Sequence, residues 1–84
     1  MMENKVLVEI YIPNVDLSLD LYIPINRKIG NIILLINKAL IELDSEYKLS
    51  SSMVLYNRYS SKVYSPNELV AHTDIRSGAS LLLI

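Results

Sequence analysis

The sequence predicts a two-layer α+β domain in which a sheet packs on one long helix. Three observations carry that prediction. Residues 6–23 alternate apolar and polar side chains with the period of two half-buried strands. Residues 26–43 repeat apolar residues at three- and four-residue steps, so one face of a helix is built to lie on a sheet. Residues 80–84 close the chain with an apolar run that suits a central strand covered on both faces.

In the first strand, Val6, Val8, Ile10 and Ile12 alternate with Leu7, Glu9 and Tyr11. In the second, Val15, Leu17, Leu19, Leu21 and Ile23 alternate with Asp16, Ser18, Asp20 and Tyr22. Pro13 and Asn14 lie between them and form a turn, because Pro presets φ and Asn tolerates the left-handed region. The helix then seats Ile29, Ile32, Ile33, Ile36, Leu40 and Leu43, with Asn26 as its N-terminal cap. Leu34, Leu35 and Ile41 are apolar residues beyond what one face can use. Lys38 interrupts the surplus stripe, which suits a loop folding over the helix or self-association.

Residues 44–52 are polar and read as a connecting loop, 53–56 as a short strand, and 57–61 as a turn. A brief strand is expected at 62–64. Ser65, Pro66 and Glu68 have the spacing of a helix start, with Ser as cap and Glu completing a capping box. That short helix should bury Leu69, with Ile75 packing from the next segment. Gly78 allows a tight turn into the last strand.

The totals bound the function. Eighty-four residues suit one domain spanning 1–84, and 51% hydrophobic content supplies a core without staples. Cysteine is absent, which removes disulfides, thiol nucleophiles and thiolate metal sites. A net charge of −1 with scattered lysines does not favour nucleic acid or an anionic membrane. The longest apolar run, 32–36, is far short of the roughly 20 residues that span a bilayer. A chain in the cytoplasm, with no membrane insertion, is the expectation.

No catalytic, cofactor-binding or metal-binding constellation emerges. His72 is the only histidine and has no paired carboxylate or thiol, so it reads as a loop residue. Asp16 and Asp20 share one strand face but supply too few ligands for a cation. Ser50, Ser51 and Ser52 lack a phosphate-cradling glycine loop.

The spacings resemble those of the β-grasp, or ubiquitin-like, superfamily across essentially the whole chain. The hairpin at 6–23, the helix seated through Ile29, Ile32 and Ile36, and the closing Leu69, Asp74, Ile75, Gly78, Leu81, Leu82 and Leu83 carry the resemblance. That fold implies parallel, central first and last strands. Within it, Leu21, Tyr22, Ile23 and Pro24 running into the Ile-rich helix, with the ending Gly78, Ala79, Ser80 and Leu81, look like the small bacterial YukD/EsaB group of type VII secretion systems. The chain departs from that group at Ala79, where the family carries an acidic residue. The resemblance implies a non-enzymatic adaptor or regulatory component that binds other proteins, with no cofactor and no catalytic residues to carry over.

The rival within the superfamily is a modifier or carrier whose C-terminus is activated by an adenylating enzyme, which needs a flexible Gly-Gly tail. Here Leu83 and Ile84 end the chain inside the expected strand. The expected docking surface is the sheet face away from the helix. There Leu7 is placed near Leu82 and Ile84, with Leu55 extending the patch and Tyr11, Tyr22 and Glu9 around it. Partners would be proteins, including secretion-system components. A homodimeric module using the same patch is the alternative.

Overall fold

The computed structural model describes residues 4–43 and 53–84. Strands β1 (Lys5–Ile12) and β2 (Leu17–Pro24) lead into helix α1 (Ile29–Leu43), and strands β3 (Leu55–Asn57) and β4 (Ala79–Leu83) follow. The four strands form one sheet in the order β2-β1-β4-β3. β1 runs antiparallel to β2 and parallel to β4, so the first and last strands are the central neighbours. Helix α1 covers one face, completing the expected two-layer α+β arrangement of a mixed sheet and one helix.

Alternation decides the layers. Val8, Ile10 and Ile12 of β1, Leu81 and Leu83 of β4, and Leu55 of β3 are buried against Ile29, Ile32, Ile36 and Leu40 of α1. As the surplus predicts, Leu34, Leu35 and Ile41 are exposed. Leu43, expected in the helix seam, is 66% exposed at the end of α1.

The helix begins three residues later than the spacing suggests, and the reason is tertiary. The carbonyls of Ile25 and Arg27 accept the N–H groups of Ala71 and Val70, and Lys28 bridges Leu69. Residues 25–28 are therefore committed to a neighbouring segment, and Asn26 cannot cap. The first free helix donors, Ile29 N and Gly30 N, bond instead to the carbonyls of Glu68 and Pro66 at 2.8 and 3.0 Å. A distant loop thus does what a capping side chain usually does.

That arrangement also explains the missing short helix. Only the Glu half of a capping box forms: Ser65 N donates to Glu68 Oε1 at 3.3 Å, but the Ser65 hydroxyl accepts from Asn67 N at 3.4 Å and Glu68 N bonds the Ser65 backbone carbonyl at 3.1 Å. The carbonyls of Pro66 and Glu68 are turned to α1 and cannot continue a helix. One 3₁₀ turn, Val70–His72, follows instead and buries Val70. Thr73 closes it, its hydroxyl donating to Val70 O and accepting from Ile75 N.

Other boundaries move for similar local reasons. Val15 belongs to a 3₁₀ turn, Pro13–Val15, and Asp16 takes the left-handed conformation (φ 49°) that returns the chain, so β2 starts at Leu17. The strand expected at 62–64 is a single bridge from Val63 to Tyr56. Asn57 organises the turn between them, its Oδ1 accepting the N–H groups of Tyr59 and Ser60. The polar segment 44–52, including the three serines, lies outside the described residues.

Candidate protein-binding surface

Because even-numbered residues of β1 and odd-numbered residues of β4 point into the core, their neighbours form the outer sheet face. The pairing register aligns these residues in rows. Tyr11 lies opposite Ser18 of β2 and opposite Leu82 of β4, and Leu82 lies opposite Tyr56 of β3. One row, Ser18, Tyr11, Leu82 and Tyr56, therefore crosses the whole sheet. The next row places Glu9 between Asp20 and Ser80. Leu7 lies opposite Tyr22 in the row beyond.

Arg58, from the turn after β3, folds over this face. Its guanidinium lies 5.2 Å from the centre of the Tyr11 ring and 3.5 Å from Glu9 Oε1. The same Glu9 oxygen accepts Ser80 Oγ at 3.3 Å. Glu9 and Asp20 face each other as like charges, which is unfavourable across a ladder. Arg58 offsets that on the far side of Glu9. Tyr11 Oη donates to Asp16 Oδ1 at 2.9 Å. That bond to a carboxylate, followed by desolvation, holds the Tyr11 phenol above its ordinary value, with Arg58 opposing.

The expected site residues divide accordingly. Tyr11 and Leu82 are half-buried neighbours on the outer face. Ile84 has the outward parity and is 46% exposed, with its backbone paired to Val54. Leu7 is 40% exposed on the same face but not beside Leu82. Gly78 N bonds Leu7 O, so the parallel register puts Leu7 at the opposite end of the strand pair. It lies about 13 Å from the Leu82 row, at about 3.3 Å per residue. The polar row of Glu9 and Ser80 separates the two.

Leu55 is the correction. It is fully buried, 0% exposed, because β3 presents Leu55 to the helix and Tyr56 to the outer face. A four-residue apolar run has no alternation from which that parity follows. Tyr56 and Arg58 replace it on the surface. The Tyr56 position follows once β3 is in register with β4, whereas no local pattern marks Arg58.

The polar candidates stay apart. His72 is exposed in the 3₁₀ turn, Asp16 is held by Tyr11, and Asp20 sits in the sheet row. Among the described residues no three His, Cys, Asp or Glu side chains gather as a metal site would require. No helix among them is long and apolar enough to cross a membrane. On the helix side, Pro24, Arg27, Asn31, Leu34, Leu35 and Lys38 line an open groove of about 320 Å³.

No protein-family model and no curated protein matches the sequence. Solved structures do match in shape. The N-terminal ubiquitin-like domain of the 4931431F19Rik protein superposes with a TM-score of 0.75 at 14% identity, over 96% of this chain and 74% of that one. A chain of the toluene 4-monooxygenase HD complex gives 0.78 at 8% identity, over 94% and 95%. A chain of the MycP5-free ESX-5 inner membrane complex gives 0.67 at 15% identity, over 96% of this chain but only 21% of that one. At such identities the likeness is one of fold, shared with settings as different as an oxygenase and a membrane complex. With the strand order and the helix seat already described, the chain has the ubiquitin-like β-grasp fold.

Proposed function

We propose that this chain is a non-enzymatic, unconjugated adaptor of the YukD/EsaB kind that binds a cytoplasmic component of a type VII secretion system through its outer sheet face. The observation that carries the reading is the row Tyr11, Leu82 and Tyr56, two aromatics flanking a leucine, with Arg58 stacked on Tyr11. Tyr and Arg are the residue types over-represented where protein partners anchor. The fold likeness to a chain of an ESX-5 inner membrane complex supports the secretion side of the reading. So does the resemblance to that group of Leu21–Pro24 with the Ile-rich helix and of the ending Gly78–Leu81.

The test is affinity capture from the native host with wild type and Leu82→Asp, after thermal melts show that both fold. Wild type should retain a secretion-system protein, and Leu82→Asp should lose at least nine-tenths of it. Equal retention by the two would remove the outer face as the docking surface. A mass spectrum showing an isopeptide adduct or a C-terminal thiocarboxylate would replace the adaptor reading with the carrier reading. Light scattering separates the dimer, because a homodimeric module loses its dimer in Leu82→Asp.

A further inference from the structure

We propose that the outer face takes a partner segment carrying an arginine or lysine two residues from a leucine-sized apolar side chain, with the cation seated at Glu9 and Asp20. The inference rests on the outer face being the docking surface and adds the chemistry of what docks there.

An unfavourable pair marks the seat. Glu9 lies directly opposite Asp20 in the β1–β2 ladder. Ile25 N bonds Asn4 O, which makes Glu9↔Asp20 one of the non-hydrogen-bonded pairs, with Cα atoms about 4.5 Å apart. Like charges set that close destabilise a ladder. The chain relieves the pair on one side only. Arg58 and Ser80 both bond Oε1 of Glu9, at 3.5 and 3.3 Å, whereas Asp20 makes no ion pair or hydrogen bond among the described residues.

Both carboxylates are open to a partner, since Asp20 is exposed and the Glu9 side chain is 45% exposed. Cations are scarce around them. Arg58 is already committed, and Lys5 lies four residues along β1, about 13 Å away. Asp16, which accepts the Tyr11 hydroxyl, adds a third carboxylate at the aromatic row. Three carboxylates thus stand against one nearby guanidinium, and the field of the face favours a basic partner.

The chain displays the contact on its own residues. The Arg58 guanidinium rests 5.2 Å from the Tyr11 ring centre while it pairs with Glu9. A planar cation therefore fits against this row, and Asp20 offers the matching place across Glu9. Spacing sets the rest. Glu9 and Tyr11 are two residues apart on β1, about 6.7 Å. An extended segment laid over the sheet repeats that rise. Its residues i and i+2 reach the Glu9–Asp20 row and the Tyr11–Leu82–Tyr56 row together. The contacts are side chain to side chain across the face, with no backbone pairing at an edge. Covering Leu82 and the two tyrosines also excludes water beside the charge contact.

The probe is a synthetic end-blocked peptide, Ser-Thr-Arg-Thr-Leu-Thr-Ser, titrated at low salt into the full chain and followed by amide NMR. Shifts should centre on Glu9, Tyr11, Asp20 and Leu82. Affinity should fall about fivefold when citrulline replaces the arginine, and about tenfold when glutamate does. Asp20→Asn gives the sharper readout. It removes the like-charge pair, so its Tm should rise by about 1–8 °C. The arginine peptide should bind it about threefold more weakly, and the citrulline peptide should bind it as it binds wild type. A merely structural Asp20 would not separate the two peptides. Asp20→Lys should turn the preference toward the glutamate peptide. Equal binding of the three peptides, shifts away from this face, no shift at millimolar peptide, or a lower Tm for Asp20→Asn would each overturn the proposal. Capture of a partner by wild type and not by Leu82→Asp, with no charge preference among the peptides, would overturn the basic segment while keeping the docking surface.

Discussion

Ile36→Ala and Leu34→Ala remove comparable apolar side chains from one helix, two positions apart, and the structure predicts opposite consequences. Ile36 is 0% exposed, between the helix axis and the sheet, while Leu34 is 63% exposed. Truncating a buried Ile to Ala costs about 2–5 kcal/mol, part from lost transfer energy and part from the cavity left behind. Truncating an exposed leucine in a helix costs within about 0.5 kcal/mol, since Ala has the higher helix propensity. An 84-residue domain has in total about 4–13 kcal/mol, so the Ile36 change removes a large share. At about 4–8 °C per kcal/mol, a 3 kcal/mol loss lowers Tm by about 12–24 °C. Circular dichroism melts and urea titrations of the three proteins measure both. A fall of less than about 5 °C for Ile36→Ala, or a larger fall for Leu34→Ala than for Ile36→Ala, would refute the placement of the helix. Ile36→Asp goes further, since the carboxyl has no polar partner there, and should abolish cooperative melting.

The two glycines should respond for different reasons. A Cβ on Gly30 would sit 3.2 Å from the Pro66 carbonyl that caps the helix, so Gly30→Ala should lose about 1 kcal/mol by urea titration despite the better helix former. Gly78 has open space but φ +92°, so Gly78→Ala should cost about 1–2 kcal/mol and Gly78→Asn less. Tyr64 links two loops, its hydroxyl donating to Asp74 Oδ1 at 2.7 Å and accepting from Asn57 Nδ2 at 3.3 Å. Burial, then the bond to Asp74, raises its phenol above its ordinary value. The neutral form is thus favoured by folding: the stabilisation is complete below about pH 10 and is lost as pH rises through the raised value. Melts between pH 8 and 11 should show an alkaline decline that is smaller in Tyr64→Phe; an identical decline would exclude Tyr64 as its source. On β4, Leu83→Asp should unfold the chain while Leu82→Asp should still melt cooperatively, because Leu83 is 0% exposed and Leu82 lies on the outer face.

What the chain determines by itself is whatever repeats over many residues. Eight-residue strands and a fifteen-residue helix sample their own period several times. Thus the faces of β1 and β2, the buried set Ile29, Ile32, Ile36 and Leu40, and the exposure of Leu34 and Ile41 all follow from side-chain order. The apolar ending is also enough to place β4 in the middle of the sheet.

Tertiary structure decides where the local signal is shorter than one period or is outbid by a distant partner. β3 has three residues, too few to show which of Leu55 and Tyr56 turns inward, and only its pairing with β4 settles that Leu55 is core. Leu7 and Leu82 share a face, but a parallel register with Gly78 beside Leu7 sets them at opposite ends. Asn26 and Ser65 are sound helix starts in isolation. Neither starts one, because the carbonyls around them are already bonded across the fold. Periodicity is a property of neighbours in sequence, whereas register and capping by remote carbonyls exist only once the layers have met.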